Sequence, residues 1–444
     1  PHRKKVGARN FVVAAEIKPL MLFHVKNENI IDLCEIIDYI SFKRKDKYFD
    51  FCSHRRCDLK IVKRRHNTMN SRERVMTALG HAEPDRVPLD FGSGKSCRFT
   101  VGAYKKITGY LGLPEKPLRL SSKVSQLVVP DDELSERLKT DVRTPHNCMI
   151  DAPGEDWETD TDYFYRDCWG VEYRMAKKGG LYYDMVKFPY ADRLDEPYIW
   201  PEMSRPNPKA LDEARAYHAA GYPVFCGEAY TNGFLQTGPR IYGFNNWLTM
   251  LAVDEEAVEA FLDSLLEQKL KYYDLLFGMF GDSIDIVNEG DDLGTQNGLF
   301  ISPEMYRRLI KPRQSKLYHY IKDKYHVKVF LHSCGAVSDI IPDLIEAGVD
   351  ILNPIQISAK GMDVVRLKRD FGKDIVFWGG TIDSQNMLPH GTPQEIKDEV
   401  KRRIDQLAPG GGFVFAPIHN FQPDVPVENI MAMWEAFQDN CRYR

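Results

Sequence analysis

The stretch Val327-Lys-Val-Phe-Leu-His-Ser-Cys-Gly335 decides the fold class. A short apolar run ends in His332, and Cys334 and Gly335 follow at once. An apolar run bounded by glycine reads as a buried strand. The end of such a strand is where an α/β barrel or an open α/β sheet presents functional side chains. An imidazole and a thiol two residues apart at that place can supply two ligands of a zinc ion. The blander reading is a buried Cys packed as a small hydrophobe beside a hydrogen-bonded His, because two ligands are only half of a zinc site.

Working outward, further strands are expected at 87–91, 224–226, 283–287, 350–353, 375–378 and 412–416. Helices are expected at 303–325, 336–346, 361–371, 393–407 and 426–439. Ser302-Pro-Glu304 opens the first with a cap residue and a proline in its first turn. Thr392-Pro-Gln-Glu395 opens another as a capping box. Strands alternating with helices of this length imply βαβ units and a parallel sheet. Their number in succession favours a closed (β/α)8 TIM-type barrel, and no Gly-x-Gly-x-x-Gly follows any strand to suggest a dinucleotide fold. Residues 130–200, rich in Asp, Tyr and Trp, read as hairpins and loops over one end.

Composition sets the bounds. Of 444 residues, 43% are apolar and 28% charged, the balance of an ordinary soluble globular chain. No apolar run reaches eighteen residues, so no helical membrane span is expected. Nine scattered cysteines form no framework of close pairs and read as free thiols of a reducing cytoplasm. A net charge of -4 argues against nucleic acid as the main partner.

That charge is unevenly spread. Residues 1–67 hold 16 Lys+Arg against 8 Asp+Glu, a net of +8, so the rest carries -12. The eight acids argue against a transit peptide, and Cys52-x4-Cys57 around His54 lacks a second ligand pair for a metal. This basic leader reads as a disordered or non-native extension ahead of a barrel domain at 68–444. Met69-Asn-Ser-Arg-Glu-Arg-Val-Met begins the regular pattern, with Asn70 or Ser71 as a helix cap.

In a barrel the loops after the strands build the active site. Those loops supply Glu289, Asp291 and Asp292 after 283–287, then His332 and Cys334, then Asn353 and Gln356, then Asp383, and finally His419 and Asn420. Acidic loop residues commonly cap helices or face solvent. Their convergence on one rim is what points to a pocket, with Asn353, Gln356, Asp383 and Asn420 as substrate contacts.

These residues carry a family resemblance. Residues 69–440 resemble the uroporphyrinogen decarboxylase superfamily, whose barrel also serves cobalamin- and corrinoid-linked methyltransferases. The markers are Arg72-Glu-Arg-Val-Met-Thr-Ala-Leu79 with Asp85-Arg-Val-Pro88, and Gly290-Asp-Asp-Leu-Gly-Thr-Gln-Asn297 running into Ile301-Ser-Pro-Glu-Met-Tyr306. His332-Ser-Cys-Gly335, Gly348-Val-Asp-Ile-Leu-Asn-Pro354 and Asp424-Val-Pro-Val-Glu-Asn-Ile430 complete the set. True decarboxylases resemble one another in a paired-arginine motif that grips porphyrinogen carboxylates. Here the corresponding region reads Asp85-Arg-Val-Pro-Leu-Asp-Phe-Gly-Ser-Gly-Lys95, without that pair. The resemblance therefore implies the methyltransferase branch, which has His-x-Cys after a strand and a later Cys before the last helix. His419 stands where that Cys is expected, four residues before Pro423.

The implied function is a zinc-assisted methyltransferase passing a methyl group from a small O-, N- or S-methyl donor to a corrinoid protein. His332, Cys334 and His419 are the expected ligands, with Glu289 as a possible fourth. Asp291 or Asp292 is the expected proton donor or orienting group. A rival Glu-x14-Glu pattern, Glu289 with Glu304, places its His326 one residue out of register and before a strand, so the rim set is preferred. The alternatives are a metal-free lyase acting on a porphyrinogen, which cations at Lys95, Arg98 and Arg240 would favour, and a barrel that only binds a tetrapyrrole.

Overall fold

The strand read at Val327–His332 forms as Lys328–His332 and is the third of six parallel strands. The computed structural model describes residues 68–443, apart from 227–229, and the chain divides between Thr68 and Met69. The leader expected at residues 1–67 lies outside the described residues. The six strands are β1 (Phe225–Cys226), β2 (Ile286–Gly290), β3 (Lys328–His332), β4 (Ile351–Asn353), β5 (Val376–Trp378) and β6 (Phe413–Val414), neighbours in sequence order.

The sheet curls, and both edges continue through single parallel bridges. Leu89 pairs with Phe415 beyond β6, and Arg143 pairs with Val224 before β1. These two outer segments meet where the Asp141 N–H donates to the Leu89 carbonyl at 2.7 Å. Six strands and two bridged segments thus make a hydrogen-bonded circuit of eight, compatible with the barrel expected from sequence.

Side chains separate by phase into two layers. Ile286, Phe330, Ile351, Val376, Trp378 and Val414 fill the interior. Their neighbours Val287, Leu331, Leu352, Phe377 and Phe413 pack outward in the larger cluster with the helices. Helix α1 (Ser71–Leu79), opened by an Asn70–Glu73 capping box, adds Val75 and Leu79 to the inner layer. Buried Asp141 holds it there by accepting from Arg74 at 2.7 Å, and accepts also from Arg86 and the Leu89 N–H.

Three further helices bear on the site: α2 (Phe234–Tyr242), α3 (Glu255–Phe280) and α4 (Lys311–Tyr325). The helix expected over 303–325 divides into a turn at Pro303–Met305, a π segment at Tyr306–Ile310, and α4. Pro312 lacks the N–H that would continue a regular ladder, and the wider turn precedes it. The helix opened by Thr392 forms as Pro393–Leu407 with its capping box intact. Residues 155–187 form a four-stranded antiparallel sheet within the segment read as hairpins. No described helix is long and apolar enough to cross a membrane.

One boundary matters for the chemistry. The strand expected at 283–287 forms at Ile286–Gly290, because Gly281 at φ 50° ends α3 and Gly281–Ser283 make a 3-10 turn first. Asn288, Glu289 and Gly290 are therefore strand residues, not loop residues.

Candidate metal centre at the barrel mouth

His332 is in phase with Phe330, and Asn353 with Ile351, so both continue the inward faces of their strands. They pair in register, and His332 Nδ1 lies 2.7 Å from Asn353 Oδ1. The Asn353 amide donates through Nδ2 to the Trp378 carbonyl at 2.8 Å, which fixes Oδ1 as its acceptor. Nδ1 of His332 therefore carries a proton, and Nε2 is turned toward Cys334, whose Sγ is 3.3 Å away. His419, from the loop after β6, completes the group: one ligand atom from each residue lies within 4.8 Å of the others. Tetrahedral zinc bonds of about 2.0–2.3 Å separate neighbouring ligand atoms by roughly 3.5 Å, so these residues fit such an ion. Asn353 is the oriented partner a ligating imidazole needs on its other nitrogen.

The charges are coupled. Burial pushes the Cys334 thiol up, but the His332 imidazolium and a hydrogen bond from His419 outweigh it and hold the thiol near pKa 7. Burial likewise lowers His332, yet the Cys334 thiolate and Asp292 raise it to about 9. Without a metal the two form a thiolate–imidazolium pair; a bound cation would take the place of the proton on Nε2.

The loop after β2 braces this site rung by rung. The Asp291 N–H donates to the His332 carbonyl at 2.8 Å, and the Leu293 N–H to Ser333 Oγ at 3.1 Å. The Cys334 N–H donates to Asp292 Oδ1 at 2.8 Å, and the Ala336 N–H to the Thr295 carbonyl at 2.8 Å. The loops lie so close that a Cβ on Gly335, at φ 88°, would stand 2.4 Å from the Gly294 main chain.

The remaining predicted residues sort differently. Glu289 is not brought to the metal centre, which corrects the expectation of a fourth ligand or catalytic group there. It pairs in register with Leu331, not His332, and so faces the helices. There it accepts from Lys269 Nζ at 2.8 Å and Tyr273 OH at 2.7 Å, fully buried. Asp291 points away as well, accepting the N–H groups of Leu235 and Gln236 at the start of α2. Burial outweighs those donors and lifts its carboxyl to about 7. Asp292 does stand at the centre, 3.8 Å from His332 Nε2. Gln356 braces the loop through the Gly335 N–H at 2.8 Å, and Asn420 accepts the Arg98 N–H at 2.8 Å. Asp383 caps its own turn at Gln385 and Asn386, in a separate cleft of about 550 Å³ lined also by His390 and Arg402. Glu304 is an exposed first-turn residue, and His326 ends α4 in the left-handed conformation, so that rival set does not assemble.

One contributor went unread in the sequence. Gln236 donates to Asp292 Oδ2 at 2.7 Å across 56 residues. Arg240, one turn further along α2, binds Asp167 at 2.6 Å and Thr231 at 3.0 Å, with its guanidinium over Trp169. No helix was expected at 234–242, so nothing marked Gln236 as facing the site. The Lys95 side chain lies outside the described residues, and Arg98 is buried with Nε on the Ser93 carbonyl at 3.2 Å.

Residues 233–439 match the uroporphyrinogen decarboxylase (URO-D) family. The resemblance read from the motifs holds there. This URO-D region contains Gln236, Asp292, His332, Cys334, Asn353 and His419, while the segment before residue 233 lies outside it. A methyltransferase from Methanosarcina mazei shares the fold at a TM-score of 0.57 and 18% identity, over 84% of this chain and 99% of that one. A dihydropteroate synthase from Coxiella burnetii, solved with pteroic acid, overlaps at a TM-score of 0.25 and 11% identity, over 39% of this chain and 62% of that one. That overlap is too slight to bear on the fold. No curated protein matches the chain in sequence.

Proposed function

We propose that this URO-D barrel is a methyltransferase that moves a methyl group from a small O-, N- or S-methyl donor to a corrinoid carried by a separate protein, with zinc held by His332, Cys334 and His419. The observation that carries the reading is the convergence of those three ligand atoms within 4.8 Å at the strand ends. The methyltransferase fold of the Methanosarcina protein supports it. When bound, the ion supplies Lewis acidity to the heteroatom that gives up the methyl group.

The side chains divide the remaining work. Asn353 orients His332, and Asp292 fastens the main chain at Cys334. Asp291 is committed to the start of α2, so of the two acids partly exposed Asp292 is the one left to orient the donor at the mouth. The carbon–heteroatom bond breaks with its electron pair left on the heteroatom, and a carbon–cobalt bond forms from reduced cobalt(I) of the partner. Neutralisation of Arg240 by Asp167 argues against the lyase alternative, which needs uncommitted cations for a polycarboxylate.

The test is direct. Purified protein given a panel of methyl donors and a reduced corrinoid protein is expected to form methyl-cobalt, seen in the corrinoid spectrum, and to lose that activity with a zinc chelator. Chelator-resistant release of carbon dioxide from uroporphyrinogen, with no methyl-cobalt, would overturn the proposal in favour of the lyase.

A further inference from the structure

The brace between the loops after β2 and β3 depends on a residue from neither loop. Gln236 lies in the first turn of α2, and its Nε2 donates to Asp292 Oδ2 at 2.7 Å. The other oxygen of that carboxylate accepts the Cys334 N–H at 2.8 Å. Asp291, next in the chain, accepts the main-chain N–H groups of Leu235 at 3.1 Å and Gln236 at 3.0 Å. Helix α2 is therefore fastened twice to the loop that holds Cys334. The approach is tight: a Cβ on Gly233 would stand 2.1 Å from Asp291 Cβ.

We propose that Gln236 is a positioning residue of the metal centre, fixing through Asp292 the main chain at Cys334 and hence the direction of its sulfur. The inference rests on the zinc reading above. Cys334 is followed by Gly335 in the left-handed region, where the backbone has unusual freedom. A donor on so pliable a turn needs an external anchor for its N–H. Asp292 can be that anchor only while its own side chain is held, since it is about a third exposed. One hydrogen bond leaves a carboxylate free to pivot; the second, from Gln236, sets its plane. The direction of a pivot matters, because Asp292 Oδ1 already lies 3.8 Å from His332 Nε2. A released carboxylate can turn toward that nitrogen and compete with the ion for it.

The experiment uses the full chain, with Co2+ as probe. Cobalt reports both affinity and, through the sulfur-to-metal charge-transfer band, the geometry at Cys334. Gln236→Leu and Asp292→Ala are each expected to weaken Co2+ binding on the order of ten- to a hundred-fold and to move that band, the usual cost of losing an outer-sphere partner. The double variant is expected to bind no worse than Asp292→Ala alone, because Gln236 acts only through Asp292. Asp292→Asn is expected to stay near wild type: its Oδ1 accepts from the Cys334 N–H, and its Nδ2 donates to a flipped Gln236 amide. If Gln236→Leu does not fold, Gln236→Glu with Asp292→Asn exchanges donor and acceptor and must give a wild-type band. An unchanged affinity and band in Gln236→Leu overturns the positioning role. So does an Asp292→Asn variant as weak as Asp292→Ala, which would assign the effect to charge. A wild type showing no sulfur–cobalt band at all overturns the zinc reading and this inference with it, an outcome distinct from the other two.

Discussion

Two polar clusters stand on opposite faces of the same sheet. Outside the wall, Glu289 meets Lys269 and Tyr273 at 2.8 and 2.7 Å, with both charged side chains at most 1% exposed. Inside the mouth, His332, Cys334 and His419 face one another with their ligand atoms within 4.8 Å, each partly exposed. The outer cluster is complementary: a cation and a hydroxyl satisfy one carboxylate. The inner one gathers three electron-pair donors and braces them on their other atoms, through Asn353 on Nδ1 and Asp292 on the Cys334 N–H. A set that is complete in itself is structural. A set of donors held together by its surroundings can share one acceptor, a proton between His332 and Cys334 in the metal-free pair or a divalent cation under the proposed function.

The largest expected effects separate these clusters cleanly. Glu289→Ala leaves Lys269 buried and unpaired, a loss of about 3–5 kcal/mol of stability in denaturant unfolding. Zinc per folded chain should be unchanged. Cys334→Ser and His419→Ala should do the reverse, with zinc by elemental analysis falling from about one per chain toward none while the melting temperature stays within a few degrees. Zinc lost from folded Glu289→Ala, or retained by Cys334→Ser, would erase the distinction between the two faces.

That distinction is also where sequence reading reached its limit. The βα rhythm was legible because buried parallel strands read as continuous apolar runs, as at Val329–Leu331 and Ile375–Trp378. His332 and Cys334 were legible because they directly follow such a run. Glu289 was misplaced because its strand begins three residues later than the apolar pattern suggests, and one residue of phase moves a side chain to the other face. Gln236 left no trace, since its partner lies 56 residues away and the intervening chain includes the whole of α3. Local pattern reports which side chains leave a strand. It does not report which distant helix end meets them.

A smaller effect sharpens the inner half of the comparison. In metal-free protein the Cys334 thiol is lowered to about 7 and His332 raised to about 9. A depressed thiol adds stability above its ordinary value of 9.0, lost as pH falls through about 7. A raised imidazole adds stability below 6.5, lost as pH rises through about 9. The ion pair is therefore intact between about 7 and 9. Alkylation of metal-free Cys334 by iodoacetamide should follow a midpoint near 7, and move up in His332→Ala. A wild-type midpoint near 9 would mean that the two groups do not share a proton.

The smallest expected effect concerns Asp383, a rim candidate that resembles the site residues in sequence and behaves unlike them in structure. Its carboxylate accepts the Gln385 N–H at 2.8 Å and the Asn386 side-chain amide at 3.0 Å, closing a turn on itself. Both bonds are exposed, so water can replace them when the side chain is removed. The turn is also held independently, by the Leu388 N–H donating to the Asp383 carbonyl at 2.8 Å, a main-chain bond that no side-chain substitution removes. Asp383→Ala is thus expected to change stability by no more than about 0.5 kcal/mol, as for surface positions away from special features. Methyl-cobalt formation and zinc content should match wild type within error. A loss of activity at unchanged zinc content would make the cleft beside Asp383 part of substrate binding, and would extend the functional face of the barrel beyond the His332–Cys334–His419 mouth.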